Sequence, residues 1–109
     1  MVKAKLESGI ILDKYNAIRD CILNKTDCAI HVTAYEGEHE DMFAGGEFAG
    51  KFIDICVKFY LYTQDKTFLD KAAAVVGSVI KNQRTDGYIG GLPKGKEWLN
   101  FTVWNQAFT

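Results

Sequence analysis

Ile10, Ile11, Tyr15, Ile18 and Ile22 recur at three- and four-residue intervals, the spacing of one helix face, and predict an amphipathic helix over residues 9–24. From Asn24 to Gly46 no period is sustained, and Gly, Asp and Glu residues accumulate. This segment reads as a long connection with a short extended stretch at Ala29 to Tyr35. A connection of that length is unusual in a compact domain unless it is functional or packed on something else.

Residues 47–62, EFAGKFIDICVKFYLY, predict a second helix of different character. Glu47, Lys51, Asp54 and Lys58 form one narrow polar stripe with two acid–base pairs at i,i+4 spacing. Almost every other position is apolar or aromatic. Such a helix is expected to be buried nearly all round, inside something larger than two or three helices.

Gln64 and Asp65 mark a turn, and Asp65 or Thr67 can cap a third helix over residues 67–83. On that helix Leu69, Ala72, Ala73, Val76, Val79, Ile80 and Gln83 are expected to share the buried face. Asp70, Lys71, Ala74, Ser78, Lys81 and Asn82 are expected on the wet one. The short turn predicts an antiparallel pair, an inner helix with an outer one. The fold class expected is therefore all-α, built of antiparallel helical hairpins.

Beyond Gln83 the run Asp86-Gly87-Tyr88 and Gly90-Gly91-Leu92-Pro93 predicts a turn-rich loop. Apolar and aromatic residues resume at Trp98, Phe101, Val103, Trp104 and Phe108, and the sequence stops within that run at Thr109. An apolar run without a cap or polar tail raises the expectation that residues 1–109 are one part of a larger domain.

Composition narrows the partners. The chain has 109 residues, 48% hydrophobic and 25% charged, with a net charge of −1, so it holds one domain at most. No basic stripe is present, which argues against a nucleic-acid partner. The longest uncharged apolar stretch, Ala72 to Ile80, is about half a membrane span, so no membrane partner is expected. No apolar segment follows the first lysines, so no signal peptide is read. Cys21, Cys28 and Cys56 are an odd set without CxxC spacing. They read as buried or incidental thiols of a reducing compartment, which leans toward the cytoplasm and leaves localisation open.

Candidate chemistry gathers at one end of the predicted helix pair. A helix of about 16 residues is about 24 Å long, and its antiparallel partner returns the chain to its starting end. The entry Gly45-Gly46-Glu47 and the exit Asp86-Gly87-Tyr88 therefore share an end, joined by Trp104, Asn105 and Gln106 if a further inner helix starts there. Glu47, Asp86, Tyr88, Trp104 and Gln106 are the candidate substrate-binding residues, because aromatic faces stack on sugar rings while carboxylates and amides bind hydroxyls. The plainer alternative is that Glu47 complements a helix dipole and Asp86-Gly87 is a turn. His31 and His39, with Glu36, Glu38, Glu40 and Asp41, match no metal-ligand spacing and read as an acidic, solvated loop.

Residues 43–109 also resemble a known family. The order Phe43-Ala-Gly-Gly-Glu47-Phe-Ala-Gly-Lys51-Phe, then Tyr62-Thr-Gln-Asp65, Asn82-Gln83, Asp86-Gly87-Tyr88-Ile89-Gly90 and Trp104-Asn105 is similar to the β-L-arabinofuranosidase-type glycoside hydrolases. The resemblance implies an (α/α)6 toroid, six helical hairpins in a ring, of which this chain is a partial copy acting on carbohydrate. It also implies a catalytic cysteine held with zinc, and a catalytic glutamate, all C-terminal to the matched region. No catalytic residue, metal ligand or cofactor is thus expected in this chain, although a full-length relative would carry zinc. Two positions depart from the family: Gln64 stands where Thr-Gly-Asp is common, and Gln106 stands in a segment where many relatives place His. The competing expectation is a self-contained helical binding or interaction module without catalysis, one form of which is a dimer that buries the Phe48/Phe52/Phe59 and Trp98/Trp104 surfaces against a second copy.

Overall fold

The computed structural model describes residues 5–37 and 45–97. These are all-helical, with no strand among the described residues: α1 spans Ile10–Asn24, α2 Ala29–Val32, α3 Gly45–Thr63 and α4 Lys66–Lys81. A single 3₁₀ turn, Thr33–Tyr35, follows α2.

The core is a seam between α3 and α4. Ala49, Phe52, Cys56 and Phe59 of α3 meet Phe68, Ala72, Val75 and Val79 of α4, and Ile22 and Tyr35 close its sides. Phe59 and Phe68 stack with ring centroids 5.1 Å apart across the turn that joins the helices. In that turn the Gln64 backbone sits at φ 63° and its N–H donates to the Tyr60 carbonyl at 2.7 Å. This left-handed exit is a common helix ending, usually given to glycine. One residue on, Asp65 starts α4 by accepting the Thr67 N–H at 2.9 Å, so the expected cap falls to Asp65.

Three expectations are corrected. The stretch Ala29–Tyr35 is helical, not extended. Asp27 accepts the Ala29 N–H at 2.9 Å and starts the turn, and a lone extended segment would have left its backbone groups without a ladder. The segment is tied to α4 by the Lys71 ammonium, which donates to the Thr26 carbonyl at 3.3 Å.

The buried face of α4 is rotated from the one predicted. Phe68 and Val75 are fully buried, whereas Val76 and Ile80 are 38% and 65% exposed and Ala73 also faces outward. The third correction concerns the pairing surface: Phe52 and Phe59 of α3 are already buried against α4 within the chain, while the other side of α3 stays uncovered. Phe48 and Leu61 stay 55% and 59% exposed, and Val57 and Tyr62 are exposed too. Its polar stripe is as predicted: Lys51 pairs with Glu47, and Lys58 with Asp54 at 2.6 Å.

α1 leans on α3 through two residues a full heptad apart, Tyr15 and Ile22. The Tyr15 ring stacks on Phe59 at 4.9 Å and meets the edge of Tyr62 at 5.2 Å. Coverage stops there, and Ile10, Ile11 and Ile18 remain exposed.

Candidate functional site

After α4 the chain enters a loop organised by one side chain, Arg84. Its Nε and Nη2 grip the Asp86 carboxylate at 3.2 and 2.7 Å, a two-pronged contact that fixes both groups. Nη2 also donates to Glu97, and Nη1 to the Leu92 carbonyl at 3.4 Å. The guanidinium lies 4.5 Å from the centroid of the Tyr88 ring. Arg84 thereby ties both ends of the 84–97 loop to each other.

Backbone bonds close the same loop. The Arg84 N–H donates to the Tyr88 carbonyl at 3.0 Å, the Gly87 N–H to the Arg84 carbonyl at 2.9 Å, and Gln83 Nε2 to the Gly87 carbonyl at 2.9 Å. Gly87 sits at φ 91°, a left-handed turn position that disfavours a side chain. Gly90 is needed for space: a Cβ there would lie 2.5 Å from the Tyr88 hydroxyl.

Asp86 is both a turn residue and an anchored acceptor. Its Oδ1 accepts the Tyr88 N–H at 3.1 Å in addition to Arg84. The Arg84 hydrogen bonds, then the Tyr88 amide, hold its carboxyl below the usual carboxylate range. Glu97 is held down likewise by Arg84, and Arg84 itself is driven upward by its bonds to Asp86 and Glu97. Burial pushes the Tyr88 hydroxyl up. The Leu92 backbone faces that hydroxyl without closing a well-formed bond, so its oxygen is buried and unpartnered among the described residues.

Asp86 opens onto a polar groove of about 580 Å³ lined by Lys81, Asn82, Gln83, Arg84, Thr85 and Lys94. It offers amide, hydroxyl, carboxylate and ammonium groups within one concavity. Neither Glu47 nor Tyr88 lines it. Glu47 is half-buried in the first turn of α3, paired with Lys51. Tyr88 is folded back over Gly90 beneath Arg84. Trp104 and Gln106 lie outside the described residues, as do His39, Glu38, Glu40 and Asp41.

A second groove, of about 620 Å³ and mainly apolar, lies between the α1–α2 connection and α3, walled by Ile22, Ile30, His31, Phe48, Phe52 and Ile55. His31 stacks on Phe52 at 4.3 Å, and burial lowers its pKa from the usual 6.5. It is a ring in an apolar wall rather than a ligand in an acidic loop. Among the described residues no group of three His, Cys, Asp or Glu side chains converges as a metal site. Cys56 is buried with its thiol pushed up to about 11, mainly by desolvation, which leaves it unreactive as a nucleophile.

Arg84 and Glu97 were invisible to motif reading, yet they organise the loop. Their signal was a charge alternation, Arg84-x-Asp86 followed by Glu97, inside a glycine-rich stretch. Glycines free the backbone to bring such charges together, and the charges then fix it. No helix among the described residues is long and apolar enough to cross a membrane. Compared with known proteins, the chain matches no family model, no curated protein and no solved structure.

Proposed function

We propose that this chain is a helical section of an (α/α)6-toroid glycoside hydrolase of the β-L-arabinofuranosidase type, forming part of the wall of its sugar-binding pocket. In this assignment α3 and α4 are one inner–outer antiparallel hairpin of the ring. Asp86 supplies an ionised acceptor to the carbohydrate, while Glu47 and Tyr88 lie outside its groove and Trp104 and Gln106, outside the described residues, stay candidates from the sequence. Catalysis belongs to residues outside this chain, and no step runs through Cys21, Cys28 or Cys56.

One observation carries the proposal: the Arg84-braced loop presents a carboxylate, two amides and a hydroxyl in one groove, a donor and acceptor set suited to a polyhydroxylated ligand. The exposed apolar flanks of α3 are in keeping with a ring in which neighbouring hairpins cover them. The test is titration of the chain with an L-arabinofuranose disaccharide, followed by backbone amide NMR. The expected result is saturable shifts confined to residues 82–97 and the start of α3, lost in Asp86→Ala. Saturating sugar with no shift in the 82–97 loop would overturn the assignment.

A second reading, a self-contained helical interaction module without catalysis, is favoured by one specific feature: the exposed apolar stripe of α4.

A further inference from the structure

On α4 the residues Leu69, Ala73, Val76 and Ile80 form a continuous stripe beside the buried seam. Leu69 is half-buried, and the other three are exposed. Gly77 lies next to it, and a Cβ built there meets nothing within 4 Å. Along the far flank of the stripe stand Asp70 and Lys81, both exposed and neither with an ion-pair partner among the described residues. We infer that this face of α4 is an isologous interface that pairs with α4 of a second copy, antiparallel, about a two-fold axis near Val75–Val76.

Geometry and charge both select that occupant. In an antiparallel two-fold pair, residue i of one helix lies level with residue j of the other when i and j are equidistant from the axis. With the axis near Val75–Val76, Asp70 is level with the second copy's Lys81, and Lys81 with its Asp70. Both residues lie on the same flank of the stripe. A two-fold axis perpendicular to the plane of the two helices keeps that flank on the same side in both copies. Two ion pairs therefore form together, each spanning the interface.

Val76 meets its own counterpart at the axis, and Ala73 lies level with Gly77 or its neighbour, where small side chains let the backbones approach closely. A parallel pairing, with its two-fold axis along the helices, would put the two flanks on opposite sides of the interface, so neither Asp70 nor Lys81 would meet a charge across it. Only the antiparallel arrangement joins opposite charges. Lys81 also lines the groove beside Asp86, so the interface and that groove adjoin; the inference goes beyond the carbohydrate assignment because it concerns assembly and not ligand.

The test is a charge-reversal exchange read by sedimentation equilibrium over a wide range of protein concentration. The wild type is expected to be a reversible dimer. Asp70→Lys carries two lysines facing two lysines in its own homodimer, and Lys81→Glu carries two carboxylates facing two carboxylates. Each alone should weaken self-association by about tenfold or more, two like-charge contacts having replaced two attractive ones. Mixed in equal amounts, the two variants restore opposite charges at both sites and should form a heterodimer at least as readily as the wild type self-associates. Because both positions are exposed, the helical circular dichroism of each variant should match that of the wild type. Should either variant misfold, Ile80→Asp, also at an exposed position, provides the independent check and should leave only monomer. A monomeric wild type, single variants that dimerise as well as the wild type, or a mixture that fails to associate would each overturn the inference.

Discussion

Two adjacent valines on α4 test the packing most directly. Val75 is fully buried against α3, and Val76, one step round the helix, is 38% exposed. Replacing either with Ala removes the same two methyl groups and grants the same gain in helix propensity, about 0.5 kcal/mol. That gain cancels in the comparison. At Val75 the lost transfer free energy is about 1.6 kcal/mol, and the surrounding Phe, Ala and Cys side chains cannot all collapse into the space, which adds about 1 kcal/mol. At Val76 part of the side chain already meets water and no closed cavity forms, so the loss is about 1 kcal/mol before the propensity gain. Val75→Ala should therefore be the more destabilising by roughly 2 kcal/mol, or a melting temperature lower by about 10 °C for a domain of this size. The assay is thermal and urea unfolding by circular dichroism, at concentrations low enough to keep the chain monomeric. Equal costs at the two positions, or a larger cost at Val76, would refute the rotation of α4 described above.

Three further outcomes follow from the same packing. Gln64→Gly should stabilise the chain by up to about 1 kcal/mol in the same unfolding assay, because φ 63° strains a side chain at that exit; destabilisation would mean the Gln64 amide bonds to the Tyr60 and Leu61 carbonyls outweigh the strain. The Cys56 thiol, pushed up to about 11, should resist a disulfide reagent at mildly alkaline pH while exposed Cys21 reacts, as read by peptide mass, and should react only after urea is added. Burial lowers the His31 pKa, so the unfolded chain takes up its proton first as pH falls: the His31 contribution is intact above about 6.5 and is lost as pH drops toward the folded value. Stability should accordingly decline on acidification through that window, and His31→Phe should flatten the decline.

The helices themselves were legible because apolar spacing and caps agree: α4 starts at Asp65, one of its two expected caps, and α3 carries its predicted polar stripe. The rotation of α4 was not legible, for a definite reason. Phe68, Ala72, Val75 and Val79 form one helical stripe; Leu69, Ala73, Val76 and Ile80 form another, displaced by one residue throughout. The two have nearly equal apolar content, so periodicity cannot choose between them. The choice is made by tertiary contact, where Phe68 stacks on Phe59 and seats its own stripe in the seam. The helical turn at Ala29–Tyr35 was not legible either, because it depends on Asp27 accepting the Ala29 N–H and on the tie from Lys71 to the Thr26 carbonyl.

At the site, Asp86-Gly87-Tyr88 was legible as a turn, but the role of its carboxylate depends on Arg84, which no motif singles out. An ionised carboxylate has about four acceptor positions. Arg84 takes two of those on Asp86 and the Tyr88 amide a third, which leaves about one to face the groove. Because Arg84 and the Tyr88 amide hold its pKa down, Asp86 stays ionised and has no proton to give near neutral pH. A glycosidic leaving group needs a carboxylic acid whose pKa has been raised, which is the opposite environment. Asp86 can therefore receive and orient a hydroxyl but cannot serve as the general acid. Under the proposed carbohydrate assignment, any glycoside cleavage would draw its acid from elsewhere, and loss of Asp86 is predicted to weaken sugar binding without removing that proton donor.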